Sequence, residues 1–200
     1  MQKLLYLLSV SALVLLTVIS SCDVTKQARK ATTLANCNFR IVSVEHISLA
    51  GIDFQQVKSV TDLSISDMGK LLAGFAAPVF PLSLTLNIEG RNPNDREAGL
   101  NRLDWILFID DIEMAAGILD KPFTIPPKGS SVIPVDIGLD LKKALSGKSA
   151  QATLNFCMNL AGVGDTPTRF RIKLKPTVFV GNRLLTYPGY ITVRTEYFSK

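Results

Sequence analysis

One histidine, three cysteines and one tryptophan are spread over 200 residues, and each scarcity excludes some chemistry. The single histidine, His46, cannot build a histidine-rich metal site, and no CxxC, HxxxH or HExxH spacing offers another kind. A Ser/His/Asp triad would have to use His46 as its base, and no GxSxG elbow presents a nucleophile. "LAGVGDT" has two glycines but lacks the lysine of a phosphate-binding loop and the full dinucleotide fingerprint; it reads as a helix cap and turn. Basic residues outnumber acidic ones, giving a formal net charge of +5, yet they look scattered. No lysine- and arginine-dense stripe with interleaved aromatics marks a nucleic-acid footprint. Asp110 and Asp111 are the one adjacent acidic pair with a claim to acid–base work or cation binding. Neighbours on a strand point to opposite faces, so they converge only if a turn lies there. These absences lead to an expectation of no catalytic residue, no metal and no cofactor.

What is present begins at the N-terminus. "MQKLLYLLSVSALVLLTVISSC" has one charge, Lys3, before a mostly apolar run from Leu4 to Ile19. That run is shorter than the roughly 20 apolar residues of a spanning helix and suits a secretory leader. Ile19-Ser20-Ser21-Cys22 resembles the lipobox of bacterial lipoproteins. The resemblance implies diacylglyceryl transfer to the Cys22 thiol, cleavage after Ser21 and acylation of the new amine. Acyl chains contribute ~0.8 kcal/mol per buried CH₂ and would hold the protein on a bilayer without a spanning helix. The leader carries off one basic residue and no acidic one, so the mature chain stays mildly basic. The expected divisions are a signal peptide at 1–21, a lipidated tether at 22–36 and one domain at 37–200. Cys37 and Cys157 remain in a compartment that permits disulfides. They can pair, or both can be reduced residues in apolar surroundings. "NFCMNL" gives Cys157 none of the electropositive setting of a reactive thiol.

Strand patterns dominate the domain. Leu82, Leu84, Leu86 and Ile88 alternate with Ser83, Thr85, Asn87 and Glu89, which predicts a half-buried strand. "LDWILFI", 103–109, is apolar on both faces and reads as a central strand with Trp105 in the core. "IEMAAGIL" either extends it or forms its hairpin partner. "FTIPP" is a short edge piece because its prolines cannot donate to a ladder. Ile133, Val135, Ile137 and Leu139 alternate again, as do Phe170, Ile172 and Leu174, and then Ile191, Val193, Thr195 and Tyr197. "FRIVSVEHISL" opens the domain and "DFQQVKSV" suggests a second short strand. Helices are fewer. Met68, Leu71, Leu72 and Phe75 share one helical face with Ser66 as the N-cap; "DLKKALSG" closed by Gly147 is short; Ser149 to Gly162 makes a third.

The stretch "NIEGRNPNDREAG" looks chemical but has a mechanical explanation. Pro93 fixes its own φ and pushes Asn92 into an extended conformation, so the strand ends there. Asn92, Asn94 and Asp95 can bond backbone groups one or two residues on. Arg91 has Glu89 and Glu97 within reach across the turn.

The residues from Leu82 to Leu145 resemble the late embryogenesis abundant type 2 family, also called the water-stress and hypersensitive-response domain. The resemblance is carried by "LSLTLNIEGRNPND" with Asn92-Pro93-Asn94 ending the strand, by "LDWILFIDDIEMAAGIL" and by "PFTIPPKGSSVIPVDIGLDL". Phe170 to Tyr197 fits its closing strands more loosely, and the Met68–Phe75 helix lies outside the matching motif. The expected fold is mainly β: an immunoglobulin- or fibronectin-III-like antiparallel β-sandwich with a few appended α-helices. The resemblance implies a non-enzymatic domain associated with stress protection. The expected role is a lipid-anchored cell-envelope protein, facing the periplasm, that binds an envelope protein or a membrane and no nucleic acid. A carrier of an apolar ligand, held between the sheets and the Met68–Phe75 helix, is the first alternative; an envelope hydrolase is the second.

Overall fold

A computed structural model describes residues 30, 32–55, 57, 60–109, 111–144, 168–180 and 183–197. Within them the chain is mainly β, with antiparallel sheets and few helices. The strands are β1 (Asn38–Leu49), β2 (Ile52–Asp53), β3 (Pro81–Arg91), β4 (Ala98–Leu100), β5 (Arg102–Ile109), β6 (Ile112–Leu119), β7 (Phe123–Ile125), β8 (Ser130–Asp140), β9 (Thr168–Val180), β10 (Arg183–Thr186) and β11 (Ile191–Tyr197). One sheet runs β2-β1-β3-β8. A second runs β10-β9-β5-β6, with β11 beside β10 on the same edge of β9, and β4 pairs with β7 alone. No helix among the described residues is long and apolar enough to cross a membrane.

Period-two patterning sets which face each strand buries. On β3, Leu82, Leu84, Leu86 and Ile88 point inward. Register places Leu84 opposite Ile137, Leu86 between Val44 and Val135, and Ile88 between Ile41 and Ile133. On the second sheet Trp105, Leu107 and Ile109 face inward opposite Leu174, Ile172 and Phe170. These two inner faces form one apolar core. Each such side chain stabilises the fold by about 1.5–3 kcal/mol relative to leaving it exposed. The hairpin reading of "IEMAAGIL" is the one realised, since β6 pairs with β5. Two prolines sit where a missing N–H is tolerated. Pro134 is on β8, an edge strand. Pro176 falls where the partner of β9 changes from β11, paired through Leu174, to β10, paired from Thr177.

Three expectations are corrected. Among its described residues, "DFQQVKSV" yields only Asp53 of the two-residue β2 and, at its end, the start of a 3₁₀ turn at Val60–Asp62. The helix Ile65–Ala76 is capped by Ser64, not Ser66. Ser64 Oγ accepts from the Asp67 amide at 3.1 Å while the Asp67 carboxylate accepts from the Ser64 amide at 3.2 Å, a reciprocal box that the Ser66 register could not make. The Ser64 hydroxyl, donating to the Asp67 carboxylate at 2.6 Å, lowers that carboxyl below its usual range. The expected apolar face is split. Leu71 is buried and Phe75 packs on Phe80 with ring centroids 5.1 Å apart, but Met68 and Leu72 face solvent with Ile65. The cause is the short leash to β3. Phe80 lies against Gly74 and rotates the helix so that Leu71, Gly74 and Phe75 meet the core.

Gly117 on β6 faces the Trp105 indole so closely that a Cβ would overlap its ring. Gly138 on β8 has nothing within 4 Å of a built Cβ. Gly117→Ala is therefore expected to destabilise by about 1–3 kcal/mol, as overpacking does. Gly138→Ala is expected to be neutral or stabilising by up to about 1 kcal/mol. Urea midpoints for the two variants check the contrast; equal midpoints would contradict this packing.

Candidate functional site

Asn92 ends β3 and is 1% exposed. Its amide nitrogen donates to three carbonyls: Arg96 at 2.7 Å, Ile125 at 3.2 Å and Pro126 at 3.2 Å. Its backbone N–H donates to Gly129 at 2.9 Å. Its Oδ1 accepts from the Asn94 amide at 3.0 Å and from Asn94 Nδ2 at 2.9 Å. Asn94 Nδ2 also donates to the Thr33 carbonyl at 3.2 Å, and the Lys128 amide donates to Asn94 at 3.0 Å. One buried side chain thus joins its own loop to the β7–β8 turn, and through Asn94 to the segment preceding β1. Asparagine suits the position because it donates and accepts at once without charge. The local turn between Asn92 and Asn94 was legible in the sequence; the bonds to residues 125 and 126 were not. The charges around it find partners other than those expected: Glu89 is held by Arg40 across the sheet, and Glu97 by Lys30. The Arg40 guanidinium keeps the Glu89 carboxyl below the usual range.

Cys37 lies beside this region. Its Sγ donates to the Thr33 carbonyl at 3.5 Å, and burial pushes its pKa up to about 11, the setting of a structural rather than a reactive thiol. Cys157, Cys22, Asp110 and the Ser149–Gly162 helix fall outside the described residues. His46 is exposed at a bulge in β1 with φ 53°, and its amide is taken by Gln55 Oε1 at 2.8 Å. No group of three metal-ligating side chains occurs among the described residues.

Sequence reading missed the second feature. "RFRIKLK" alternates cationic and apolar residues, and β9 buries Phe170, Ile172 and Leu174. Arg169, Arg171, Lys173 and Lys175 must then share the outer face. Register sets Arg194 of β11 directly opposite Arg171, with Phe108 of β5 on the other side. The Arg171 guanidinium lies 4.3 Å from the Phe108 ring centroid and the Lys173 ammonium 5.1 Å from it; Lys175 lies 5.5 Å from the Tyr190 ring. Such contacts contribute about 0.5–1 kcal/mol at exposed sites and fix where the cations point. Asp111 lies between β5 and β6 with φ 64°. What Asp111 meets is cationic: Arg171 at 3.2 Å and Arg169 at 3.7 Å. Asp111, Arg169, Arg171, Arg194 and Thr195 line a cleft of about 550 Å³. Among the described residues, no carboxylate pairs with Lys173, Lys175 or Arg194, and the buried Arg171 Nε has no hydrogen-bond partner. The outer face of the other sheet differs. There Thr85 donates to Asp136 at 2.8 Å, Asn87 to Ser43 at 2.9 Å, and Arg40 pairs with Glu89. Carboxylates on that face are held by a hydroxyl or by Arg40, whereas cations predominate along β9.

The fold and these two features define a mainly β domain. The chain belongs to the late embryogenesis abundant protein family, which matches residues 87–187. That family carries a stress-related, non-catalytic role. The match takes in the Asn92 loop, the cationic run of β9 and β10, and leaves out the helix Ile65–Ala76. Among solved structures, a protein from Archaeoglobus fulgidus is 14% identical with a TM-score of 0.35, over 62% of this chain and 89% of that one. A protein from Arabidopsis thaliana is 13% identical with a TM-score of 0.38, over 58% and 70%. A protein assigned as late embryogenesis abundant is 15% identical with a TM-score of 0.38, over 92% and 85%. No curated protein matches the chain.

Asn92→Ala leaves buried carbonyls without a donor and is expected to cost about 3 kcal/mol. Asn92→Asp should be no better, since a carboxylate cannot donate to them. Asn94→Ala, at the partly exposed end of the network, should cost about 1 kcal/mol. Urea unfolding of the three variants measures this, and a change at Asn92 below about 0.5 kcal/mol would contradict the role given to its amide.

Proposed function

We propose that this protein is a lipid-anchored, non-catalytic binding domain of the bacterial cell envelope, facing the periplasm and serving a stress-protective role. In this reading an immunoglobulin- or fibronectin-III-like sandwich at 37–200 sits on a tether at 22–36 that follows a signal peptide at 1–21; two antiparallel sheets sharing one apolar core support the sandwich. The observation that carries the binding role is the outer face of the β9–β5 sheet, where Arg171, Lys173, Lys175 and Arg194 gather; Asp104 stands opposite Lys175 but pairs with Arg102, and among the described residues no carboxylate lies within ion-pair distance of Lys173, Lys175 or Arg194. Like charges set side by side across strands are destabilising unless something outside compensates them. The anchor rests on Ile19-Ser20-Ser21-Cys22.

A second reading, an apolar-ligand carrier, is supported by a different cleft from the one expected. The space beside Met68–Phe75 is filled by Phe75 and Phe80. A cleft of about 370 Å³ lies instead against Leu34, Pro176, Val178, Leu185, Tyr187 and Pro188. It sits at the low end of ligand-pocket sizes, which favours the binding-surface reading.

Expression with the native leader in a bacterium, followed by mass analysis and fractionation, tests the anchor. The mature chain is expected to begin at a diacylglyceryl-modified Cys22, to resist a high-salt wash and to leave membranes only with detergent. Cys22→Ala is expected to abolish the lipid mass. An unmodified Cys22 in the membrane-bound wild type would contradict the anchor.

A further inference from the structure

We infer that the outer face of the β9–β11 strands docks flat on an anionic bilayer, the same one that holds the N-terminus. This deepens the anchored reading and rests on it for the choice of bilayer. Arg169, Arg171, Lys173 and Lys175 occupy alternate positions of one strand, a row about 20 Å long at the strand rise. Arg194 widens the row. Lysine and arginine stems can lie along the interface while their charged ends reach phosphate. A row of this kind matches a sheet of headgroups better than a single small anion.

The same face changes character at one end. Phe179 and Leu184 are opposite each other in the β9–β10 pair, 44% and 60% exposed, and Tyr190 is nearby at the ring contacted by Lys175. Exposed aromatic and aliphatic groups beside cations are what an interface between water and hydrocarbon accommodates. A soluble polyanion gives Phe179 and Leu184 nothing. Lys30, Val178 and Phe179 line one shallow cleft, so the chain coming from the N-terminus passes beside this apolar end. Eight peptide units join Cys22 to Lys30 and span at most about 30 Å. An anchored Cys22 therefore keeps Phe179 and Leu184 within reach of the surface. The long helix is not on this side. It leads into β3 at Pro81, next to Leu82, which pairs with Leu49 at the far end of β1, while the chain enters β1 at Asn38, opposite Arg91.

Amine acetylation of the full chain reconstituted in vesicles tests the docking, with peptide mapping of individual lysines. Flotation with neutral phosphatidylcholine vesicles reads the anchor; the labelling rate of Lys173 and Lys175 reads the face. With roughly a third of the lipid exchanged for phosphatidylglycerol, both lysines are expected to label about fivefold more slowly, and Lys70 on the distal helix to be unchanged. At about 1 M salt, where the Debye length is about 3 Å, the difference should disappear. Thr192→Glu with Arg194→Glu should abolish it too; if that variant does not fold, the salt series carries the test alone. Equal labelling of Lys173 and Lys175 on the two vesicle types would overturn the proposal. So would equal protection by soluble glycerol phosphate at the same phosphate concentration, which would mark a small-anion site. Loss of flotation on neutral vesicles with protection kept on anionic ones would remove the anchor and leave the docking face standing.

Discussion

The side-chain amide of Asn92 is the constraint on which the rest depends. It is a polar group taken wholly out of water at the end of a core strand, and burial of that kind is tolerable only when each donor and acceptor is used. Its donors close the loop at Arg96 and hold the β7–β8 turn at Ile125 and Pro126, while Oδ1 sets Asn94. Asn94 in turn takes the Thr33 carbonyl, just before β1 begins. Three segments distant in sequence are therefore fixed at one end of the β1–β3–β8 sheet. That end is also where the chain arrives from the N-terminus. Whatever holds the N-terminus transmits its orientation through this network rather than through a loose joint.

The two outer sheet faces then differ in what they can meet. On β1, β3 and β8, hydroxyls, amides and an arginine–glutamate pair satisfy one another within the surface. Such exposed pairs contribute little stability, and they leave the carboxylates of Glu45 and Asp136 bonded to hydroxyls rather than to cations. On β9 and β11 the cations exceed their partners, and the rings of Phe108 and Tyr190 hold them outward. Asp111 offsets part of the charge near Arg169 and Arg171, and Asp104, opposite Lys175, is taken up by Arg102.

Local patterns in the sequence were read well where one rule decided the outcome. Alternation placed Leu82 to Ile88 and Ile133 to Ile137 on the core side, and Trp105 inside, because period two and burial are the same fact in a half-buried strand. The same alternation in "RFRIKLK" predicts a cationic face as directly as an apolar one, a signal that net charge alone does not reveal. Other features needed tertiary information. Phe80 decides which side of the helix is buried, so Met68 and Leu72 were placed inward by periodicity and stand outward in the structure. Ser64 and Ser66 are both plausible caps by residue type, and only the reciprocal bond to Asp67 separates them. Asn92 was legible as a strand end because Pro93 follows it. Its bonds to carbonyls more than thirty residues away leave no trace in a local window.

Native-state hydrogen exchange addresses the central claim most directly, since it reads the stability of single amides without altering the chain. The amides of Asn92, Asn94 and Lys128 donate to Gly129 O, Asn92 Oδ1 and Asn94 O. If the Asn92 network is part of the core, these three exchange only by global unfolding, with the same free energy and denaturant dependence as the Leu86 and Ile88 amides at the centre of β3. Exchange of the three within seconds, by local opening insensitive to denaturant, would show an ordinary surface loop and would contradict the account.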